Sequence, residues 1–245
     1  MNCENQMSYT IQPRDTLYNI AIRYNTSVED IIARNPFLNP YNLIIGSTII
    51  ICPNSNRSNE DRFLGISLQA LKLYTEMYVL WEQHVFWTRL LLVSITENLN
   101  DLEPTKKRLL RNPSDIANVY RRYYSERDAK TIENLLTEHL VIGADLIVAL
   151  KNKDSALSTA LSQKWYKNAD EMAKAFASIN PFYGEESLRQ MLHTHLDLTS
   201  QEVDARLRKD YAAEINAFDM VEQEALRMAR YLVSGIINNF PDLFR

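Results

Sequence analysis

Three of the four histidines of this 245-residue chain occupy one repeated place in its sequence. His84, His139 and His195 follow one another at offsets of 55 and 56 residues. Each has an apolar residue three positions before it and further apolar residues one and three positions after it. Neutral imidazoles are ligands that suit zinc, manganese and iron. This spacing therefore suggests a metal site inside a helical protein.

A carboxylate would complete such a site, and the last helical segment offers Asp219 or Glu222 at a comparable depth. Two other interpretations stay open at this point. Duplication of a segment explains the spacing without any chemistry. Buried histidines whose nitrogens are paired with neighbouring polar groups are an equally common outcome. The Glu-x-x-His signature of di-iron bundles does not occur in the sequence.

The histidines belong to a longer internal repeat. Residues 111–142 align with residues 167–198 without a gap, and Asn112 then stands opposite Asn168. A partial third copy, "WEQHVFW", contributes His84 to the same alignment. The alignment predicts that one helical unit has been duplicated within the chain.

Long helical patterns must hold these histidines in place. Apolar residues recur at helical spacing in roughly six segments, and the chain contains only five glycines, which favours helix over tight turns. Mid-helix positions of an up-and-down bundle share one layer, so the three histidines are expected to converge. The predicted helical segments are 64–100, 105–123, 126–151, 155–178, 184–207 and 210–239.

The first fifty residues have a different pattern. A short strand from Tyr9 is followed by a helix that begins after Thr16, a good N-cap residue. Ser27 and Asp30 approximate a capping box for a second helix, and a second strand covers residues 48–52. The predicted order of elements is βααβ.

These residues carry a family resemblance. The stretch "YTIQPRDTLYNIAIRYNTSVEDIIARNPFLNPYNLIIGSTIIICP" resembles a LysM domain in its first strand, its Asp-Thr-Leu turn, its Asn-Pro pair and its closing strand. Arg14 stands where the family usually has glycine, which can adopt a positive φ. The predicted fold is thus a small α+β LysM domain at residues 8–53, followed by an all-α up-and-down helical bundle with an internal repeat.

The resemblance implies binding of polymers that contain N-acetylglucosamine, such as peptidoglycan or chitin. The ligand would lie in a groove between the turn after the first strand and the loop after the second helix. Loop amides and carbonyls would bond the acetamido groups, and apolar side chains would cover the sugar faces. The residues implied on the two sides are Asp15, Thr16 and Leu17, and Asn39, Pro40, Asn42, Leu43 and Ile44.

The two cysteines of the chain are Cys3 and Cys52. Antiparallel pairing of the two strands would bring them close together, so a disulfide is geometrically feasible. Such a bridge would indicate an oxidising final location. The alternative is two reduced thiols, with Cys52 buried as a small apolar residue.

The polar segment 54–62 predicts a linker, and residues 63–245 then form the helical body. Through "WEQHVFWTR", "LLTEHL" and "NADE" the body is similar to uncharacterised helical domains that follow a LysM module in spore-forming Firmicutes. This resemblance implies no activity. It suggests the spore envelope as a place where the protein meets peptidoglycan.

Charge and hydropathy exclude several classes of function. The net charge of -4 and the pI near 5.7 disfavour nucleic acid as a partner. The apolar runs are shorter than the roughly 20 residues of a transmembrane helix. "MNCENQMSYT" lacks the features of a signal peptide, so we expect cytoplasmic synthesis followed by deposition at the spore or cell envelope.

The sequence predicts a non-catalytic glycan-binding protein that presents a helical bundle as a structural or partner-binding domain. One alternative is a metal-binding bundle, enzymatic or for storage, that holds zinc, manganese or iron and is localised by the LysM module. A second alternative is a LysM module that has been adapted to bind protein. No Ser/His/Asp motif, phosphate-binding glycine loop or Cys/His pair supports a hydrolase or a nucleotide enzyme.

Overall fold

The chain divides into two compact units, Met1–Lys72 together with Phe244–Arg245, and Leu73–Leu243. The predicted linker at 54–62 lies outside the described residues, so the predicted domain boundaries stay predictions. The computed structural model describes residues 6–13, 15–24, 26, 28–36, 38, 43–53 and 67–244.

The N-terminal unit contains the predicted two-stranded sheet and two helices. Strand β1 (Met7–Thr10) pairs antiparallel with β2 (Thr48–Ile51), so that Met7 lies opposite Ile51. Helices α1 (Leu17–Arg23) and α2 (Val28–Arg34) lie between the strands in the chain. The βααβ order is confirmed.

A small apolar core holds this unit together. It receives side chains from both helices, from β2 and from the loop after β1, and these side chains are almost inaccessible to solvent. Burial of this apolar area is the main stabilising contribution in so small a unit. The core residues are Ile11, Leu17, Ile20, Ala21, Ile31, Ile49 and Ile51.

Asn35, just after α2, connects that helix to β2. Its Nδ2 donates to the carbonyl oxygens of Ile31 at 2.7 Å and of Ile50 at 2.8 Å. Its Oδ1 accepts from the backbone amide of Ile50 at 2.8 Å. The side chain of Asn35 therefore hydrogen-bonds both the amide and the carbonyl of Ile50, which β1 leaves unpaired on that side of the strand.

Replacing Asn35 with alanine is expected to destabilise this connection by about 2 kcal/mol, because the main-chain groups of Ile50 would lose their partner. Backbone amide exchange of Ile50 reports the effect, since its amide is the donor to Asn35. We expect exchange to become roughly 30-fold faster. Asn19→Ala, at an exposed position of α1, is the matched control. Equal protection in both variants would contradict this role of Asn35.

The helical body contains seven α-helices and a closing 3-10 helix within residues 67–244. No helix in this part of the chain, or in the described N-terminal residues, is long and apolar enough to cross a membrane. The helices are α3 (Leu68–Glu97), α4 (Leu102–Leu109), α5 (Asn112–Tyr120), α6 (Glu126–Lys151), α7 (Ser155–Ile179), α8 (Glu185–Leu207) and α9 (Tyr211–Asn239), followed by the 3-10 helix Pro241–Phe244.

The predicted helix at 105–123 is two short helices, α4 and α5. The break has a local cause in Pro113, which lies in the first turn of α5. Proline has no amide hydrogen and clashes with the preceding turn, so it begins a helix far better than it continues one. The predicted segment at 155–178 is a full 25-residue helix, α7.

Consecutive helices from α5 to α9 pack side by side, in the up-and-down arrangement that was predicted. The two hairpins α6–α7 and α8–α9 are built around the same turn. Lys153 and Lys209 have positive φ values of 59° and 61°. Asp154 and Asp210 then cap the next helix by accepting a backbone amide three residues on. The internal repeat thus extends to the turns.

Candidate functional site

The two loops of the predicted glycan groove lie against each other in the N-terminal unit. The backbone amide of Ile11, after β1, donates to the carbonyl of Ser47 at 2.9 Å. The amide of Gly46 donates back to the carbonyl of Ile11 at 2.9 Å. Gly46 has a φ of +86°, which a residue with a Cβ adopts rarely. This glycine allows the loop before β2 to turn onto the loop after β1.

Asp15 holds the turn after β1. Its Oδ2 accepts hydrogen bonds from the hydroxyl of Tyr9 at 2.5 Å and from the amide of Gln12 at 2.8 Å. Arg23 approaches the other oxygen at 3.5 Å. These hydrogen bonds, the one from Tyr9 first, lower the pKa of the Asp15 carboxyl. The carboxylate is therefore an internal acceptor that shapes the loop, and its oxygens are already in use.

Thr16 and Leu17 were also implied on this side of the groove. Thr16 is exposed, and its Oγ1 accepts the amide of Asn19 at 3.1 Å, as an N-cap residue does. Leu17 is buried in the core of the unit. Its side chain packs inside the unit, and the ligand contact implied at this position stays a prediction.

On the other side of the groove, apolar side chains meet the solvent. Leu43 is half-buried and packs against the core, whereas Ile44 and Ile45 are 69% and 62% exposed. Sequence reasoning missed Ile45, although two isoleucines directly before a turn glycine are a usable signal. The other implied residues, Asn39, Pro40 and Asn42, and the unusual Arg14 lie outside the described residues.

Cys52 directly follows β2 and does not carry a free thiol. Its predicted partner Cys3 lies outside the described residues. The Cys3–Cys52 pairing therefore stays a prediction.

In the helical body, His84, His139 and His195 line one cavity. All three side chains are buried, and the ring centres of His84 and His195 are 6.0 Å apart. The rest of the wall is mainly aliphatic, with Trp165 beside His139. The repeated position in the sequence therefore corresponds to one place in the fold.

An asparagine orients each of two histidines. Nδ1 of His84 lies 3.1 Å from Oδ1 of Asn112, and Nδ1 of His139 lies 3.0 Å from Oδ1 of Asn168. Both asparagines donate through Nδ2 to the carbonyl oxygen four residues before the histidine. The asparagine oxygen is thus an acceptor, and the imidazole must donate through Nδ1–H. Nε2 then carries the lone pair in both rings.

The third histidine differs. Nδ1 of His195 is buried and has no hydrogen-bond partner in the structure. Burial lowers the pKa of all three imidazoles, that of His139 to about 3 and that of His195 well below its usual value. Repulsion between their charged forms adds to this for His139 and His195. The cavity is therefore lined by neutral rings at neutral pH.

The carboxylates proposed from the sequence lie elsewhere. Asp219 is exposed, and Glu222 is half-buried. Burial of Glu82, followed by its hydrogen bond with Glu222, raises the pKa of the Glu82 carboxyl. Neither Asp219 nor Glu222 lines the cavity, whose wall is formed by side chains of α3, α4, α6, α7 and α8. Across the described ranges, no three His, Cys, Asp or Glu side chains stand ready to hold a metal ion.

Comparison with known proteins bears on the N-terminal unit. Residues 9–51 match the family model of the LysM domain. The matched range covers both strands, both helices and the two joined loops. No curated protein and no solved structure matches the chain. A LysM domain implies binding of carbohydrate of the peptidoglycan or chitin type.

Proposed function

We propose that this chain is a non-catalytic carbohydrate-binding protein whose residues 9–51 dock on N-acetylglucosamine polymers, with peptidoglycan and chitin as the ligand class. The match of that segment to the LysM domain carries the proposal. The contact between the loops after β1 and before β2 supports it, because these loops bound the expected groove. The helical body would then be presented at the polymer surface as a structural or partner-binding domain.

Ile44 and Ile45 are the described side chains that we expect to cover the sugar. They expose most of their surface, whereas five described isoleucines of the same unit are buried, namely Ile11, Ile20, Ile31, Ile49 and Ile51. The acetyl methyl group and the C–H faces of an amino sugar are apolar and would remove these side chains from water. Hydrogen bonds from loop amides and carbonyls would fix the orientation of the acetamido group.

Asp15 would support binding by holding the turn after β1 in shape, and not by contacting the sugar. Its bonds to Tyr9, Gln12 and Arg23 hold the turn after β1 in one shape before any ligand arrives. A preformed loop loses less conformational entropy on binding. We therefore expect Asp15→Asn to weaken binding by loosening the turn.

A shallow groove in a single module supports only weak binding. Copies of the chain that are linked to one another would gain affinity by avidity, since the second contact of a linked assembly with the polymer is intramolecular. Deposition at the cell wall or the spore envelope is part of this proposal, because the polymer is there.

Sedimentation of the full-length chain with insoluble peptidoglycan and with chitin tests the proposal. We expect the wild-type protein to pellet with at least one polymer and the double variant Ile44→Ser/Ile45→Ser to bind about 10-fold more weakly, because partial covering of the two isoleucines would together contribute roughly 1.5 kcal/mol. Leu157→Ser, on α7, is the matched control at 48% exposure.

Failure of the wild-type chain to pellet above background with either polymer would overturn the glycan function. It would favour the alternative in which this module binds a protein. Equal binding by wild type and the double isoleucine variant would contradict the assigned surface.

A further inference from the structure

We propose that the cavity in the helical body binds one transition-metal ion, of the class of zinc or iron, through the imidazole nitrogens of His84, His139 and His195. The proposal stands apart from the glycan function, since it concerns the second unit alone. It begins from the cavity that all three rings line, with the ring centres of His84 and His195 6.0 Å apart. As the described side chains stand, no three of them form a metal-binding group, so ion binding requires the ring of His195 to turn.

The size and lining of the cavity restrict what it can hold. Its volume is about 40 Å³, and each bound water needs roughly 10–15 Å³ on such a scale. An ion with one or two water ligands fits, whereas an organic cofactor does not. The hydroxyls of Thr88 and Thr199 and the indole N–H of Trp165 already donate to the backbone carbonyls of the three histidines. The imidazoles are thus the nitrogen donors that this wall offers to an ion, beside the hydroxyl of Ser200.

Two of the rings are held in the form that a metal requires. The asparagine partners keep the proton of His84 and of His139 on Nδ1 and leave Nε2 unprotonated. A ligating histidine ordinarily donates its other N–H to an oxygen acceptor in this way. The pairs His84–Asn112 and His139–Asn168 repeat the arrangement in two parts of the fold.

For His195, the internal repeat also supplies a residue at the position of the asparagine partners. The hairpins α6–α7 and α8–α9 share their turn, and the offset of 56 residues between Lys153 and Lys209 also relates Asn168 to Glu224. His195 is 5% exposed with an unpartnered Nδ1, and Oε1 of Glu224 is buried and also without a partner. Glu224 therefore occupies the position in the repeat that Asn168 has in the other hairpin, and its other oxygen, Oε2, pairs with Arg227 at 3.0 Å.

These unpaired groups indicate what ion binding would change. An unpartnered buried polar atom costs about 1–3 kcal/mol, and pairing Nδ1 of His195 with Glu224 would remove that cost for both groups. No hydrogen bond to Nδ1 fixes the ring of His195 in its present orientation. Turning the ring would let Nδ1–H donate to Glu224, in the carboxylate–histidine–metal arrangement. The carboxylate would also offset the charge of the cation.

The test uses the full-length chain, stripped with a chelator and then dialysed separately against Zn²⁺, Fe²⁺, Mn²⁺ and Co²⁺. We expect about one tightly held ion per chain, measured by elemental analysis, and a higher melting temperature, since a ligand of the folded state stabilises it. The visible spectrum of bound Co²⁺ would report imidazole coordination. Stripped wild type that retains none of these ions at stoichiometry would overturn the proposal.

Variants assign the residues. His139→Gln should abolish stoichiometric binding, and Glu224→Gln should weaken it by about 10–100-fold through the orientation of His195. His193→Gln is the matched control, because His193 is half-exposed and bonds Asp170 outside the cavity. If His139→Gln fails to fold, the ion content of reloaded wild type still decides whether a site exists, and Glu224→Gln tests the partner of His195. Unchanged affinity in that variant would remove Glu224 from the site, and loss of metal in His193→Gln would place the ion elsewhere.

Discussion

Gly235→Ala is expected to destabilise the helical body by about 3 kcal/mol, although alanine is the better helix former. A Cβ at this position of α9 would lie 1.9 Å from Cε1 and 2.5 Å from Cδ1 of Tyr183. Tyr183 cannot move aside. Its ring is buried between Phe176 and Tyr231, and its hydroxyl donates to the carbonyl of Leu232 at 2.6 Å.

The measurement is urea unfolding followed by tryptophan fluorescence, because all three tryptophans lie in the helical body. Gly143→Ala is the matched control in α6, where the new Cβ would lie 3.3 Å from the ring of Trp165. There the gain in helix propensity, about 1 kcal/mol, should roughly balance the tighter contact. Adding Tyr183→Leu to Gly235→Ala should recover part of the loss. Equal stability of the two alanine variants would contradict the clash.

Acidification is expected to destabilise the metal-free protein between about pH 6.5 and pH 3 through the buried histidines. Burial lowers the pKa of His84, His139 and His195, that of His139 to about 3. The unfolded chain therefore binds protons in this window that the folded chain excludes. The stabilisation from neutral rings is present above the unfolded pKa and is lost as the pH falls, at up to about 1.4 kcal/mol per pH unit for each ring.

Carboxyl groups oppose this trend. Burial raises the pKa of Glu202 to about 7, and it also raises the pKa of Glu82 and Glu224. A raised carboxyl pKa contributes stability that is present at low pH and is lost as the pH rises toward the folded value. Acidification from pH 7 therefore gains stability from these groups while it loses stability from the histidines.

Comparison of variants separates the two contributions. Wild type and His139→Gln are unfolded with urea at pH 7 and at pH 5. We expect the wild type to lose about 2 kcal/mol more over this interval than the variant, because His139 alone accounts for that difference. Glu202→Gln should show a steeper loss on acidification than wild type. Parallel pH profiles for wild type and His139→Gln would contradict the assignment.

Much of the fold was predictable because its signals are local. Apolar spacing predicted the helices of the body, and N-cap residues placed the start of α1. The division of residues 102–120 into two helices was missed, although Pro113 is visible in the sequence. The helical spacing of apolar residues continues across Pro113, but the proline backbone cannot continue the helix.

The sites were less predictable, because exposure and contact depend on how elements rotate against each other. Leu17 and Ile44 are both apolar loop-flanking residues, yet one fills the core and the other faces solvent. Asp219 shares a helix with Glu224, but only Glu224 lies on the buried face.

By itself, the sequence determined which segments form helices and strands, that one helical unit is duplicated, and that its histidines recur at one depth. These properties follow from periodicity and self-similarity along the chain. Only the tertiary structure decided that asparagines hold two of the rings, that His195 and Glu224 keep unpaired atoms, and that Ile44 and Ile45 face solvent. The physical reason is that hydrogen-bond pairing and burial arise between elements distant in sequence, where packing sets which faces meet.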